Sequence, residues 1–213
     1  MLDITTVPVT EFQQNARVVR CTETGELVII DPGGDVDQIV DVVAKKKGRC
    51  VGIWLTHSHL DHCGGVAPLL KHYDVPLVAH PDEREMRAHV TDIAAMYGLA
   101  ATDWPNCPEP TQEVYGGEVL KVGQHAASVL FTPGHSPGHV SFYFASDNVV
   151  LSGDTLFQGS IGRTDLPGGD HEQLLASIRR ELLSLPDATK VLSGHGANTI
   201  IGIERRSNPF LGE

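Results

Sequence analysis

The six residues His57-Ser58-His59-Leu60-Asp61-His62 follow a short apolar run, Val51 to Leu55, with only Thr56 between them. That run is uninterrupted and rich in β-formers, so it predicts a strand buried on both faces that ends at Thr56. Cys63-Gly64-Gly65 then predicts a helix starting near Gly65. Along an extended segment His57, His59 and Asp61 point to one side at two-residue intervals, and the turn into the helix brings in His62 from the next backbone position. Three imidazoles and a carboxylate at a strand end form a metal-ligand motif. A chain with 11 His and 15 Asp in 213 residues produces His-x-His-x-Asp-His by chance roughly twice in a thousand sequences.

Three further residues share the setting of a strand end followed by glycine, where backbone approaches a buried ion closely. They are His135 in Thr132-Pro133-Gly134-His135, Asp154 in Leu151-Ser152-Gly153-Asp154, and His195 in Ser193-Gly194-His195-Gly196. Each alone suits a hydrogen-bonded structural residue. Together with the first run they make five imidazoles and two carboxylates, more donors than one four- to six-coordinate ion takes, so the sequence predicts two metal ions. Two divalent ions, two carboxylates and one hydroxide sum to about +1, a Lewis-acidic site suited to a carbonyl oxygen. Imidazole and carboxylate accept Zn²⁺, Fe²⁺ and Mn²⁺ alike, and zinc is the default expectation.

The rest of the chain alternates strands and helices. Val18–Cys21 and Leu27–Ile30 flank a polar turn and predict a hairpin. Pro32-Gly33-Gly34-Asp35 then breaks the chain and offers a cap for a helix carrying Val36, Ile39, Val40 and Val43 on one face. Val75–Ala79 predicts a buried strand and Asp82–Tyr97 a helix, and Gly98 to Gly117 reads as a loop with three prolines. Strands are predicted at Val119–Val122, Ala127–Phe131, Val140–Phe144, Val149–Leu151 and Lys190–Leu192. Between the last two lies a helix that Asp170 caps, with Leu174, Leu175, Ile178 and Leu182 as its apolar stripe. Helices interrupting two strand-rich halves predict an α/β class built as a two-sheet sandwich with helices on the outer faces. No Gly-x-Gly-x-x-Gly follows a strand and no phosphate-cradling Gly-rich loop with Lys-Ser/Thr is present, so dinucleotide and NTP chemistry have no support in the sequence.

Charge narrows the partners. Sixteen Lys and Arg against 27 Asp and Glu give a net charge of -11, which repels a nucleic-acid backbone. No apolar run approaches the ~18 to 20 residues of a membrane span, and the first residues lack a secretory pattern, so the expected location is the cytoplasm. Cys21, Cys50, Cys63 and Cys107 are widely spaced and read as reduced, mostly buried thiols. His139 and His171 read as supporting or capping residues, and His72, His80, His89 and His125 as surface or helix positions.

With the seven ligand positions, Gly159-Ser160-Ile161-Gly162-Arg163-Thr164-Asp165, Pro167-Gly168-Gly169-Asp170-His171 and the terminal Glu204-Arg205-Arg206-Ser207-Asn208-Pro209-Phe210 in view, the chain resembles a metallo-β-lactamase-fold hydrolase. Within that superfamily it resembles the short glyoxalase II-like (hydroxyacylglutathione hydrolase-like) proteins. The resemblance implies an αββα sandwich of two mixed sheets, a single domain over residues 1–213, and no carboxy-terminal helical domain of the full-length glutathione thioesterases. It implies one metal on His57, His59 and His135, a second on Asp61, His62 and His195, and Asp154 bridging them, with Asp61 and Asp154 as the catalytic carboxylates. The implied reaction is hydrolysis of S-D-lactoylglutathione or a related acyl-glutathione by a metal-bridging hydroxide. Arg163 is the candidate for holding a substrate carboxylate. Where full-length enzymes continue with Glu-Tyr-Thr after the last ligand histidine, this chain has Gly196-Ala197-Asn198, which implies a smaller, more open cleft. The alternative on the same scaffold is a persulfide dioxygenase with mononuclear iron on His57, His135 and Asp154, or a lactonase-like or β-lactamase activity.

Overall fold

The computed structural model describes residues 1–212, which form two compact units, each organised around its own six-stranded sheet. The first unit comprises Met1–Val114 with Val122–His125. Its strands β1 (Leu2–Val9), β2 (Gln14–Cys21), β3 (Glu26–Ile30), β4 (Arg49–Trp54), β5 (Leu77–Ala79) and β6 (Gln112–Glu113) lie side by side in chain order. The first three are antiparallel and the last four parallel. Parallel neighbours need crossovers, and helices supply them: α1 (Val36–Lys46) follows β3, α2 (Leu60–Cys63) and α3 (Val66–Leu69) follow β4, and α4 (Arg84–Ala88) and α5 (Val90–Met96) follow β5. Ile53, Trp54 and Leu55 are all buried, as the apolar run at the end of β4 predicts. Ile53 and Leu55 join Val18, Leu27, Ile29, Ile39 and Val43 in this unit's core.

Several local outcomes differ from the sequence reading. Within the stretch 98–117 expected to be a loop, β6 adds to the sheet beside β5. β1 escapes it because the strand is an edge, half-exposed over Leu2–Thr5, and carries Pro8, which an edge tolerates. Asp35 precedes α1 but does not cap it. Its backbone is left-handed (φ 45°), and its carboxylate instead accepts from the Thr10 N–H at 2.7 Å. The helix expected over Asp82–Tyr97 is a 3-10 turn (Pro81–Glu83) followed by α4 and α5, broken at His89 (φ -119°). The break lets buried Arg87 donate to the His80 carbonyl at 2.9 Å while Val90 and Ala94 face the core.

The second unit takes Tyr115–Lys121 and the chain from Ala126 onward. Its sheet draws on β7 (Val119–Val122), β8 (His125–Phe131), β9 (Val140–Phe144), β10 (Val149–Gly153), β13 (Lys190–Ser193) and β14 (Thr199–Ile200), in the order β14-β13-β10-β9-β8-β7. A small hairpin of β11 (Leu156–Phe157) and β12 (Ser160–Ile161) stands apart from it, and α7 (Ile201–Ser207) follows β14. β10 and β13 run parallel, and the crossover between them contains α6 (His171–Ser177), which continues as a π-helical turn, Ile178–Leu182. The predicted stripe is buried: Leu174, Leu175, Ile178 and Leu182 pack with Val150, Val191 and Ile201. Asp170 caps α6 as predicted, accepting from the Gln173 N–H at 2.9 Å. Asp170→Ala is therefore expected to cost about 1 kcal/mol, read as a lower urea midpoint with an unchanged slope. No helix among the described residues is long and apolar enough to cross a membrane.

Candidate metal centre

The first unit carries four of the seven residues. The chain is extended through His59 (ψ 153°) and turns into α2 at Leu60, so Asp61 and His62 sit on a helical turn rather than continuing the extended segment. The His57 ring lies 4.7 Å from that of His59 and 4.0 Å from that of His62, centroid to centroid. His62 Nε2 and Asp61 Oδ2 are 3.8 Å apart. Two donors about 2.1 Å from a shared tetrahedral ion stand roughly 3.4 Å apart, so this spacing suits coordination.

Behind these side chains lies Asp31, buried and itself left-handed (φ 51°). It accepts the Thr56 N–H and the Thr56 hydroxyl, both at 2.7 Å, and faces His62 Nδ1 at 3.1 Å. A carboxylate only accepts, so His62 Nδ1 carries the proton. Because the Thr56 hydroxyl gives its one hydrogen to Asp31, it must accept from His57 Nδ1, 3.1 Å away. Both rings are thereby fixed with Nε2 as the lone-pair nitrogen, the form that binds metal. Buried Arg17 supplies the opposing charge to Asp31; burial pulls its pKa down to about 10 while Asp31 pulls the other way.

The second unit repeats the arrangement with the other three residues. Asp154 Oδ2 lies 3.7 Å from His135 Nε2 and 3.5 Å from His195 Nε2. His135 Nδ1 donates to the Arg163 carbonyl at 2.7 Å, which again leaves Nε2 as the lone-pair nitrogen. His139 has the opposite tautomer: its Nε2 accepts the Asp154 N–H at 3.1 Å, and Nδ1 faces the Thr132 and Thr155 hydroxyls. It positions Asp154 and is the supporting residue the sequence reading expects. Gly162 completes the cradle, since a Cβ there would stand 1.9 Å from the Asp154 carbonyl oxygen and 3.2 Å from His135 Nδ1.

Sequence reasoning missed Asp31, although Ile30-Asp31-Pro32-Gly33 has the same strand-end-before-glycine setting that marks His135, Asp154 and His195. It also placed two histidines wrongly. His80 is buried, its Nδ1 accepting from the Asp82 N–H at 3.1 Å, and the His125 side chain is only 12% exposed. Cys63 is a buried thiol as read, with Sγ 3.3 Å from the Ser58 carbonyl. Arg163 forks onto Asp165 through two 2.7 Å hydrogen bonds, and this guanidinium holds the Asp165 carboxyl down at about 2. Arg205 and Arg206 anchor to Asp187.

The donor chemistry fits borderline divalent metals: imidazoles with assigned lone pairs, carboxylates at coordination spacing and no thiolate among the seven. Residues 9–195 match the family model described as the metallo-β-lactamase superfamily. The chain belongs to that superfamily. Across 99% of its length it is 38% identical to the hydroxyacylglutathione hydrolase GloC of Haemophilus influenzae, 98% of which is covered. The crystal structure of BLEG-1 B3 metallo-β-lactamase superposes with a TM-score of 0.90 at 38% identity, covering 99% of this chain and 100% of that one. That of TTHA1623 in a di-iron-bound form superposes with a TM-score of 0.88 at 41% identity, covering 97% of this chain and 100% of that one. The two mixed sheets with their helices are the metallo-β-lactamase fold, and the chain is a metal-binding hydrolase of that superfamily.

Proposed function

We propose that this hydrolase is a thioesterase acting on S-D-lactoylglutathione or a related acyl-glutathione, with His57, His59, Asp61, His62, His135, Asp154 and His195 jointly holding two divalent ions and the whole chain acting as one domain. The observation that carries the metal part is the tautomer lock. His57, His62 and His135 each commit Nδ1–H to an oxygen that accepts it, so each offers Nε2. The end-to-end similarity to GloC supports the choice of substrate. Zinc is the favoured ion, with iron and manganese suited to the same donors.

When bound, two such ions would lower the pKa of water toward ~7 and polarise a carbonyl oxygen. Asp61 and Asp154 supply the negative charge that balances the ions and orient the attacking oxygen by hydrogen bonding. Asp31 and the Arg163 carbonyl keep His62 and His135 from rotating. A thioester suits this set because its thiolate, of pKa about 8.5, leaves as an anion without a proton from an acid side chain.

Two assays on one metal-replete preparation test the reading: thiol release from S-D-lactoylglutathione and oxygen uptake with glutathione persulfide. Thiol release without oxygen uptake is the expected result. Oxygen uptake without thiol release would replace the thioesterase by the mononuclear-iron dioxygenase. Arg163 is also proposed to hold a substrate carboxylate. Its side chain is exposed, so Arg163→Ala is expected to raise KM about tenfold with kcat, metal content and Tm unchanged. An unchanged KM leaves Arg163 as the partner of Asp165 alone.

A further inference from the structure

We propose that Cys21, Glu23 and His125 form a separate binding site for one zinc-like divalent cation. The three belong to the first unit and come from the end of β2, the following turn and the start of β8. Their ligand atoms all lie within 4.8 Å of one another, with Cys21 Sγ 3.4 Å and His125 Nε2 4.0 Å from the same oxygen, Glu23 Oε2. Around a tetrahedral ion with metal–sulfur about 2.3 Å and metal–nitrogen or –oxygen about 2.0 to 2.2 Å, neighbouring ligands stand roughly 3.3 to 3.6 Å apart. A side-chain movement of about 1 Å closes the trio to that spacing. One thiolate, one imidazole and one carboxylate make a borderline donor set that zinc accepts, and exposed Glu23 leaves the fourth position to water.

The surroundings are built for a thiolate. Burial alone would push the Cys21 thiol up, but hydrogen bonds from the backbone of Gln124, Thr24 and Glu23 and from the Thr24 side chain outweigh it and hold the pKa below the usual cysteine value. This crowding requires Gly123, whose φ is +56° and where a Cβ would stand 2.5 Å from Cys21 Cβ and 2.7 Å from Sγ. Glu23 is held ionised, its carboxyl down at about 2, chiefly by the Met1 ammonium on its other oxygen, Oε1. The site is distinct from the His57–His62 cluster. Gln14, 3.4 Å from His62 through its side-chain amide, begins β2, and Cys21 ends the same strand. Seven residues of extended chain span roughly 23 Å.

Cobalt(II) titration of the metal-free protein tests this without recourse to activity. The proposed main centre contains no sulfur, so a near-ultraviolet thiolate-to-cobalt charge-transfer band reports a cysteine ligand alone. The expected result is a band whose saturating intensity corresponds to one cobalt-bound thiolate per chain, beyond the cobalt taken up by the main centre; it is absent in Cys21→Ser and persists in Cys63→Ser. His125→Gln and Glu23→Gln, at the more open side of the site, should weaken its cobalt affinity at least tenfold with an unchanged apo melting temperature. They decide the matter should Cys21→Ser fail to fold. No band at saturating cobalt, a band that survives Cys21→Ser, or an affinity indifferent to both glutamine variants would overturn the site. Thiol release by the wild-type protein is scored separately, so the failure of either reading leaves the other standing.

Discussion

Asp154→Asn is expected to lower turnover of the metal-replete protein by more than a hundredfold, beyond the ~10 to 100-fold that loss of an outer-shell partner costs. Asp154 stands 3.7 Å from His135 and 3.5 Å from His195, so an amide there removes a charge beside both imidazoles. The backbone is untouched, because His139 holds the Asp154 N–H rather than its carboxylate. The apo protein should therefore melt no lower than wild type. Steady-state kinetics with elemental analysis on the same sample checks this, and activity within tenfold of wild type at full metal loading would remove Asp154 from the chemistry.

Asp31→Ala should instead unfold the protein more easily before any metal is considered. It strands the Thr56 N–H, the Thr56 hydroxyl and His62 Nδ1–H, and it removes a negative charge that acts on buried Arg17. Each buried donor left without its acceptor costs about 1 to 3 kcal/mol, and alanine at a left-handed position adds roughly 1 kcal/mol more. Asp31→Asn keeps one accepting oxygen and tolerates the positive φ, so it should recover part of the loss. Denaturant midpoints of the three apo proteins are expected to rank wild type, Asn, Ala. Equal midpoints would show that Asp31 holds nothing in place. In Asn, where the fold survives, metal affinity should still fall about 10 to 100-fold, since the His62 tautomer is no longer enforced by a carboxylate.

What was legible in the sequence was what short-range pattern controls. The strand of the apolar run before Thr56, which ends at Trp54, and the α6 stripe with its Asp170 cap each follow from spacing alone, and each is found. The candidate ligands were readable as residue types at strand ends. Their orientation was not, because it depends on partners distant in the chain: Asp31 for His62, and Arg163 for His135. Asp35 shows the same limit from the other side. A good capping residue by type, it is drawn off by the Thr10 N–H, 25 residues away. β1 was hidden because an edge strand with one exposed face has little apolar alternation, and the break at His89 because burying Arg87 and Val90 overrides a continuous helix. His125 looked like a surface histidine since nothing in its own neighbourhood reveals Cys21.

The central claim is that seven side chains hold two metal ions. Anomalous scattering from crystals of zinc-loaded protein tests it directly. The account predicts two peaks about 3.5 to 4 Å apart, one within bonding distance of His57, His59 and His135, the other of Asp61, His62 and His195, and both of Asp154. A single peak there at full loading, or peaks that leave Asp61, His62 and His195 without a metal, would contradict it.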